Sequence, residues 1–141
     1  MANFNEVYDQ FLALSSKDRI DAARGAATDV LGFLNEHNVS EEFKSSFFIV
    51  LIGTFIGVDG VVTQSEVDIF NAIFTGTFTS KDLVGMISKL CTKENVEALD
   101  KLVDSMPEEI KLSACVLALT VVSADGSIGE DERAYFEKLL A

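Results

Sequence analysis

Two short stretches of this chain place carboxylates at the same spacing. VDGVVTQSE runs from Val58 to Glu66, and ADGSIGEDE runs from Ala124 to Glu132. Each carries an Asp-Gly pair, an aliphatic residue two positions later, and then a Glu. If the two turns converge, Asp59, Glu66, Asp125 and Glu132 supply four carboxylates, the oxygen ligands that calcium or magnesium takes. Glu130 and Asp131 would add to the negative field. Three explanations compete for the pattern: a cation site, a helix-start signal, and an internal duplication.

An EF-hand loop needs Gly at its sixth position, Glu at its twelfth, and oxygen ligands at the first, third and fifth. The separations Gly60–Glu66 and Gly126–Glu132 fit, and Asp59 and Asp125 occupy the fifth position. The first position, however, is Phe55 or Val121, and the third is Gly57 or Ser123. Without the leading carboxylates neither loop is a true EF-hand, and tight calcium binding by one loop alone is not expected.

Helix capping accounts for the same residues without a ligand. Thr63-Gln64-Ser65-Glu66 has the form of a capping box, in which Glu66 reaches back to the amide of Thr63. Gly129 to Glu132 is a weaker version with glycine as the cap. Gly60 and Gly126 suit helix ends that need positive φ, and Val62 and Ile128 are placed as hydrophobic staples.

Periodicity locates the elements that would carry these turns. Phe4, Val7, Tyr8 and Phe11 open an amphipathic helix. Ile20, Ala23, Ala27, Val30, Leu31 and Leu34 mark one face of a second helix, ending near Glu36. Ser40 is the expected N-cap of a third, with Glu41 and Glu42 in its first turn. That helix continues into FFIVLIGTFIGV, which is apolar on every side, as a helix enclosed by others must be. Its Val, Ile and Phe also favour strands. The Leu- and Ala-rich counterpart LSACVLALTVVSA favours helix for both.

After the first turn, Val67, Phe70, Ile73 and Phe74 mark a fourth helix, and TGTFTS breaks it. Leu83, Met86, Ile87 and Leu90 follow helical spacing, as do Val96, Leu99, Leu102 and Val103. Ser105, Pro107 and Glu108 read as the next helix start, with Ser105 as cap. Phe136, Leu139 and Leu140 face inward on the last helix. Shifting the chain by 66 residues lays Asp59 on Asp125, Gly60 on Gly126, Val62 on Ile128, Glu66 on Glu132, Phe70 on Phe136 and Ile73 on Leu139. The expected fold is an all-α, single-domain bundle of seven or eight helices built on a repeated helical hairpin.

Composition limits function. With 48% hydrophobic and 24% charged residues among 141, the chain can bury a core, and disorder is not expected. A formal charge of −12 repels nucleic acid and anionic lipid. The two apolar runs are shorter than a bilayer requires, so no membrane span is expected. MANFNEVYDQ has neither the basic region nor the apolar run of a signal peptide. Cys91 and Cys115 read as buried free thiols of a cytoplasmic protein. With a lone His37 they cannot make an ordinary zinc site. No phosphate loop, catalytic triad or paired-His helix is present, so the chain reads as a non-enzyme.

GVDGVVTQSEVDIF and SADGSIGEDERAYF together resemble the TerB-like family, which includes the tellurite-resistance protein TerB and the N-terminal domain of DjlA co-chaperones. The resemblance covers roughly residues 40–141 and leaves residues 1–39 as an N-terminal helical extension packed on the core. It implies an all-helical, cytoplasmic, non-enzymatic module with pseudo-two-fold packing and a role in stress response or scaffolding. Its acidic residues would chelate metal, by position Asp59, Glu66, Asp125 and Glu132. Tellurite resistance itself does not follow, because a fold is shared more widely than a phenotype. The alternative is a metal-independent interaction scaffold. Phe4, Phe11 or Phe78 would then serve as surface anchors, and homodimerisation through the first helix is a variant.

Overall fold

The computed structural model describes residues 3–37, 39–56, 62–124 and 128–140. Eight helices are formed among them: α1 (Phe4–Leu12), α2 (Ser16–Glu36), α3 (Glu41–Ile56), α4 (Gln64–Phe74), α5 (Ser80–Leu90), α6 (Lys93–Ser105), α7 (Glu108–Val122) and α8 (Glu130–Leu140). No strand occurs among the described residues, so the all-α expectation holds.

Side-chain oxygens set most of the helix starts. Asn3, Ser15, Thr63, Thr79 and Thr92 each accept a hydrogen bond from the backbone amide three residues on, satisfying a donor that has no partner within the helix. Ser40 does the same for Phe43. Ser105 does not cap α7, as its position had suggested. It is the last residue of α6 and donates to the Leu102 carbonyl at 2.8 Å. Pro107 occupies the N-cap of α7 and makes no side-chain cap bond.

Two helices form the centre of the bundle. From Ser46 onward α3 is buried or half-buried throughout, and from Ala114 so is α7. They pack on each other. Around them α2 and α4 lie on α7, α5 and α6 lie on α3, and α8 touches both. Buried and half-buried hydroxyls along the central helices return their protons to their own backbone. Thr54 donates to Val50, Thr120 to Val116 and Ser123 to Leu119, at 2.6–2.7 Å. No buried side-chain polar atom among the described residues lacks a partner, as a dry interior requires.

The face of α2 differs in part from the expected one. Ala23, Val30 and Leu34 are buried, joined by Ala26 and Phe33, whereas Leu31 is 41% exposed. The residues of α1 and α2 belong to the same hydrophobic cluster as the rest of the chain. Phe4 and Phe11 are core residues rather than surface anchors, at 3% and 4% exposure. The Phe4 ring stacks on Phe136, which stacks in turn on Phe55, with centroids 5.3 and 4.3 Å apart. Arg133 lies over the Phe4 ring and donates to Asn5, fastening α1 to α8.

A displacement of 66 residues relates the elements as well as the letters. Added to the bounds of α4 it gives 130–140, the bounds of α8; added to Ile56, the end of α3, it gives Val122, the end of α7. Phe70 and Phe136 are both buried, as are Ile73 and Leu139. Each amphipathic helix also packs on the buried helix of the other half, α4 on α7 and α8 on α3.

One close approach fixes the position of α5. A Cβ on Gly53 would lie 2.5 Å from Cys91 Sγ and 3.1 Å from Ile87 Cγ2, so only glycine lets α3 and α5 meet at this distance.

Candidate functional site

Of the four expected metal-binding carboxylates, Asp59 and Asp125 lie outside the described residues. Glu66 and Glu132 occupy the starts of α4 and α8. Glu66 is 7% exposed. Its Oε1 accepts from the Thr63 amide at 2.8 Å and from the Thr63 hydroxyl at 3.0 Å, while its own amide donates to Thr63 Oγ1. This is the capping box expected from the sequence. Glu132 Oε1 likewise accepts from the Gly129 amide at 2.8 Å. Val62 and Ile128 are half-buried against the core, where hydrophobic staples belong. Helix-start chemistry thus occupies both glutamates. Among the described residues no group of three or more His, Cys, Asp or Glu side chains is placed to hold a metal ion.

The remaining singular residues have structural surroundings. Exposed His37 stacks on Phe33 with centroids 4.0 Å apart, and its Nδ1 donates to the Phe33 carbonyl. Cys115 is fully buried, and burial pushes its thiol up to about 12. Burial also raises the half-buried Cys91 thiol. Neither is an activated nucleophile. Phe78 is exposed, as a surface anchor would be, but its ring packs on Phe70, and its backbone is held at both N–H and C=O by Asn71. No helix among the described residues is long and apolar enough to cross a membrane.

A cavity of about 230 Å³ opens between α3, α6 and α8. Its floor is apolar: Leu51, Leu99, Val103 and Leu139, all buried. Its rim is polar: Asp100, Asp104, Tyr135 and Lys138. The Tyr135 ring stands edge-on to Phe55, with centroids 4.8 Å apart, and its hydroxyl donates to Asp100 Oδ1 at 3.4 Å. Burial, followed by the neighbouring Asp100 charge, pushes the Tyr135 phenol up to about 12, so it remains a neutral donor. Lys138 Nζ lies 5.7 Å from the Tyr135 ring centroid. No ion pair joins Lys138 to either aspartate among the described residues. Such a cavity can hold an apolar group by burial and orient a polar end at the rim.

Sequence reasoning did not single out this cavity. A signal existed in α6, where the acidic pair Asp100 and Asp104 follows one residue behind the apolar pair Leu99 and Val103. Both pairs have i, i+4 spacing, so an acidic row runs beside an apolar one. What could not be read locally is that α8, some thirty residues further on, brings a phenol and an ammonium to the same opening.

Comparison of the chain with protein-family models, with curated proteins and with solved structures finds no match in any of the three.

Proposed function

We propose that this chain is a non-enzymatic, cytoplasmic helical binding module of the TerB-like kind, serving a scaffolding or stress-response role, and that it engages a protein partner at the cavity between α3, α6 and α8. The observation that carries this reading is the cavity's construction, a buried apolar floor beneath a rim of two carboxylates, a phenol and an ammonium. A photo-crosslinking residue at position 104 tests it in cells, with position 31 on α2 as an exposed control outside the cavity. A discrete adduct formed at 104, not at 31, and insensitive to chelator is the expected result. Equal or absent crosslinking at the two positions refutes it.

A second reading places a divalent cation at the two Asp-Gly turns. It is favoured by the 66-residue repeat, which lays Asp59 on Asp125 and Glu66 on Glu132, with Glu66 and Glu132 in the first turns of α4 and α8. Glutamine can occupy the same capping position, so Glu66→Gln with Glu132→Gln removes the charge while retaining most of the cap. Millimolar calcium or magnesium should stabilise the wild type by mass action on the folded state, by about 2.7 kcal/mol at a hundredfold excess over Kd, and so raise its Tm. The double variant should lose that response. A wild-type Tm unmoved by either ion ends this reading.

A further inference from the structure

The rim chemistry of the α3–α6–α8 cavity specifies its occupant more closely, on the premise that the cavity is a binding site. Asp100 and Asp104 are one helical turn apart, so their carboxylates open on the same side of α6, with Cβ atoms roughly 5–6 Å apart. The rim carries one cation, Lys138. The local balance is negative, on a chain whose net charge is −12. An anion would meet two carboxylates. A neutral apolar group would leave the rim without a complement. A cation on an aliphatic stem satisfies both surfaces.

We infer that the cavity receives the side chain of a lysine presented by a basic segment of a partner protein, its stem on Leu99, Val103 and Leu139 and its ammonium between Asp100 and Asp104. Lysine suits the site better than arginine. A guanidinium fork pairs with the two coplanar oxygens of one carboxylate, whereas an ammonium, a compact point charge with three rotatable donors, can share them between two carboxylates one turn apart. The space also fits. A volume of about 230 Å³ equals roughly eight waters at ~30 Å³ each, room for the flexible four-carbon stem and its head. The Tyr135 hydroxyl already donates to Asp100, which holds that carboxylate in place as an acceptor. Lys138 gives the site a built-in opponent. Its ammonium shares the rim with the incoming one and repels it.

The test uses the full chain with methyl-labelled Leu and Val. It is titrated with a blocked peptide of alternating alanine and lysine, with the same peptide carrying norleucine for lysine, and with free n-butylammonium. The expected result is saturable shifts of the Leu99, Val103 and Leu139 methyls with the lysine peptide, weakening as salt rises. Asp100→Asn or Asp104→Asn should each lower affinity about fivefold, and Lys138→Met should raise it about threefold, the direction expected of a removed like charge. If the norleucine peptide binds as tightly as the lysine peptide, the cation inference is overturned while the cavity remains a binding site. If butylammonium binds as tightly as the lysine peptide, the ligand is a free amine and the partner segment is overturned. If no probe moves these methyls, the inference and the binding-site reading on which it rests both fall. Should an Asp variant fold poorly, Lys138→Met and the salt dependence of the wild type decide: unchanged affinity in both overturns the inference.

Discussion

Replacing Gly53 by alanine turns a usually favourable change into an unfavourable one. Inside an exposed helix, alanine in place of glycine gains about 1 kcal/mol. At position 53 the added Cβ would lie 2.5 Å from Cys91 Sγ and 3.1 and 3.2 Å from two carbons of Ile87. Ordinary contact is about 3.5–4 Å, so roughly 1 Å of overlap with sulfur must be relieved by moving α5 or turning the Cys91 side chain. Overpacking of this kind costs about 1–3 kcal/mol. Against the helix gain, Gly53→Ala should destabilise by about 1 kcal/mol. With Cys91→Ala already present the sulfur is gone, and only the milder Ile87 contacts remain. Gly53→Ala should then be neutral or stabilising by up to about 1 kcal/mol. The expected coupling is therefore about 1–2 kcal/mol, well above the ~0.3–0.5 kcal/mol within which independent sites add. Urea titrations of the wild type, both single variants and the double variant close the cycle. A stabilised single Gly53→Ala variant, or additive effects, would refute the close approach of α3 and α5.

Phe136→Ala removes the ring sandwiched between Phe4 and Phe55 and should cost about 3–5 kcal/mol in chemical denaturation; a loss below about 1 kcal/mol would mean that the α1–α8 aromatic stack is not formed. Thr75 ends α4 in the left-handed region at φ 53°, unfavourable for a β-branched residue, so Thr75→Gly should raise stability by about 1 kcal/mol, and a loss would show that its side chain matters more than its backbone. Cys115 and Tyr135 have ordinary pKa values near 9.0 and 10.0, and both are pushed up to about 12 on folding. Between those values the unfolded chain binds fewer protons than the folded one, so stability should fall as pH rises from about 9 to about 12 and stay insensitive to these groups below that window. Tyr135→Phe should flatten the part of the slope above pH 10, as read from urea midpoints.

Much of the architecture is legible because its signals are local. Thr63 and Glu66 sit three residues apart, and that spacing alone specifies the start of α4. The runs that become α3 and α7 lack a polar face, and a helix without one must be enclosed. Expectation failed where the deciding partner is distant in sequence. Phe4 and Phe11 lie on a short amphipathic helix whose apolar side could equally have been an exposed docking face. Burial of Phe4 is decided by Phe136, more than a hundred residues later. Ser105 resembles a cap until its hydroxyl is found bonded within its own helix, one of the two local options open to any serine. The cavity between α3, α6 and α8 has walls from three separate segments, so its existence is a property of packing rather than of any window of sequence. Asp59 and Asp125, on which the cation reading depends, lie outside the described residues.

The central position of α7 has a consequence for how the chain emerges from a ribosome. The apolar side of α2 is complete by Glu36, yet the surface it covers is not finished until Val122. Until α7 has been made, the apolar side of α2 therefore lacks its principal partner. Closure of so many long-range pairings at once favours a late, concerted collapse over stepwise docking. Nascent chains arrested ahead of Glu108 should be protease-sensitive and prone to cling to holdases, while those extended past α8 should become resistant together.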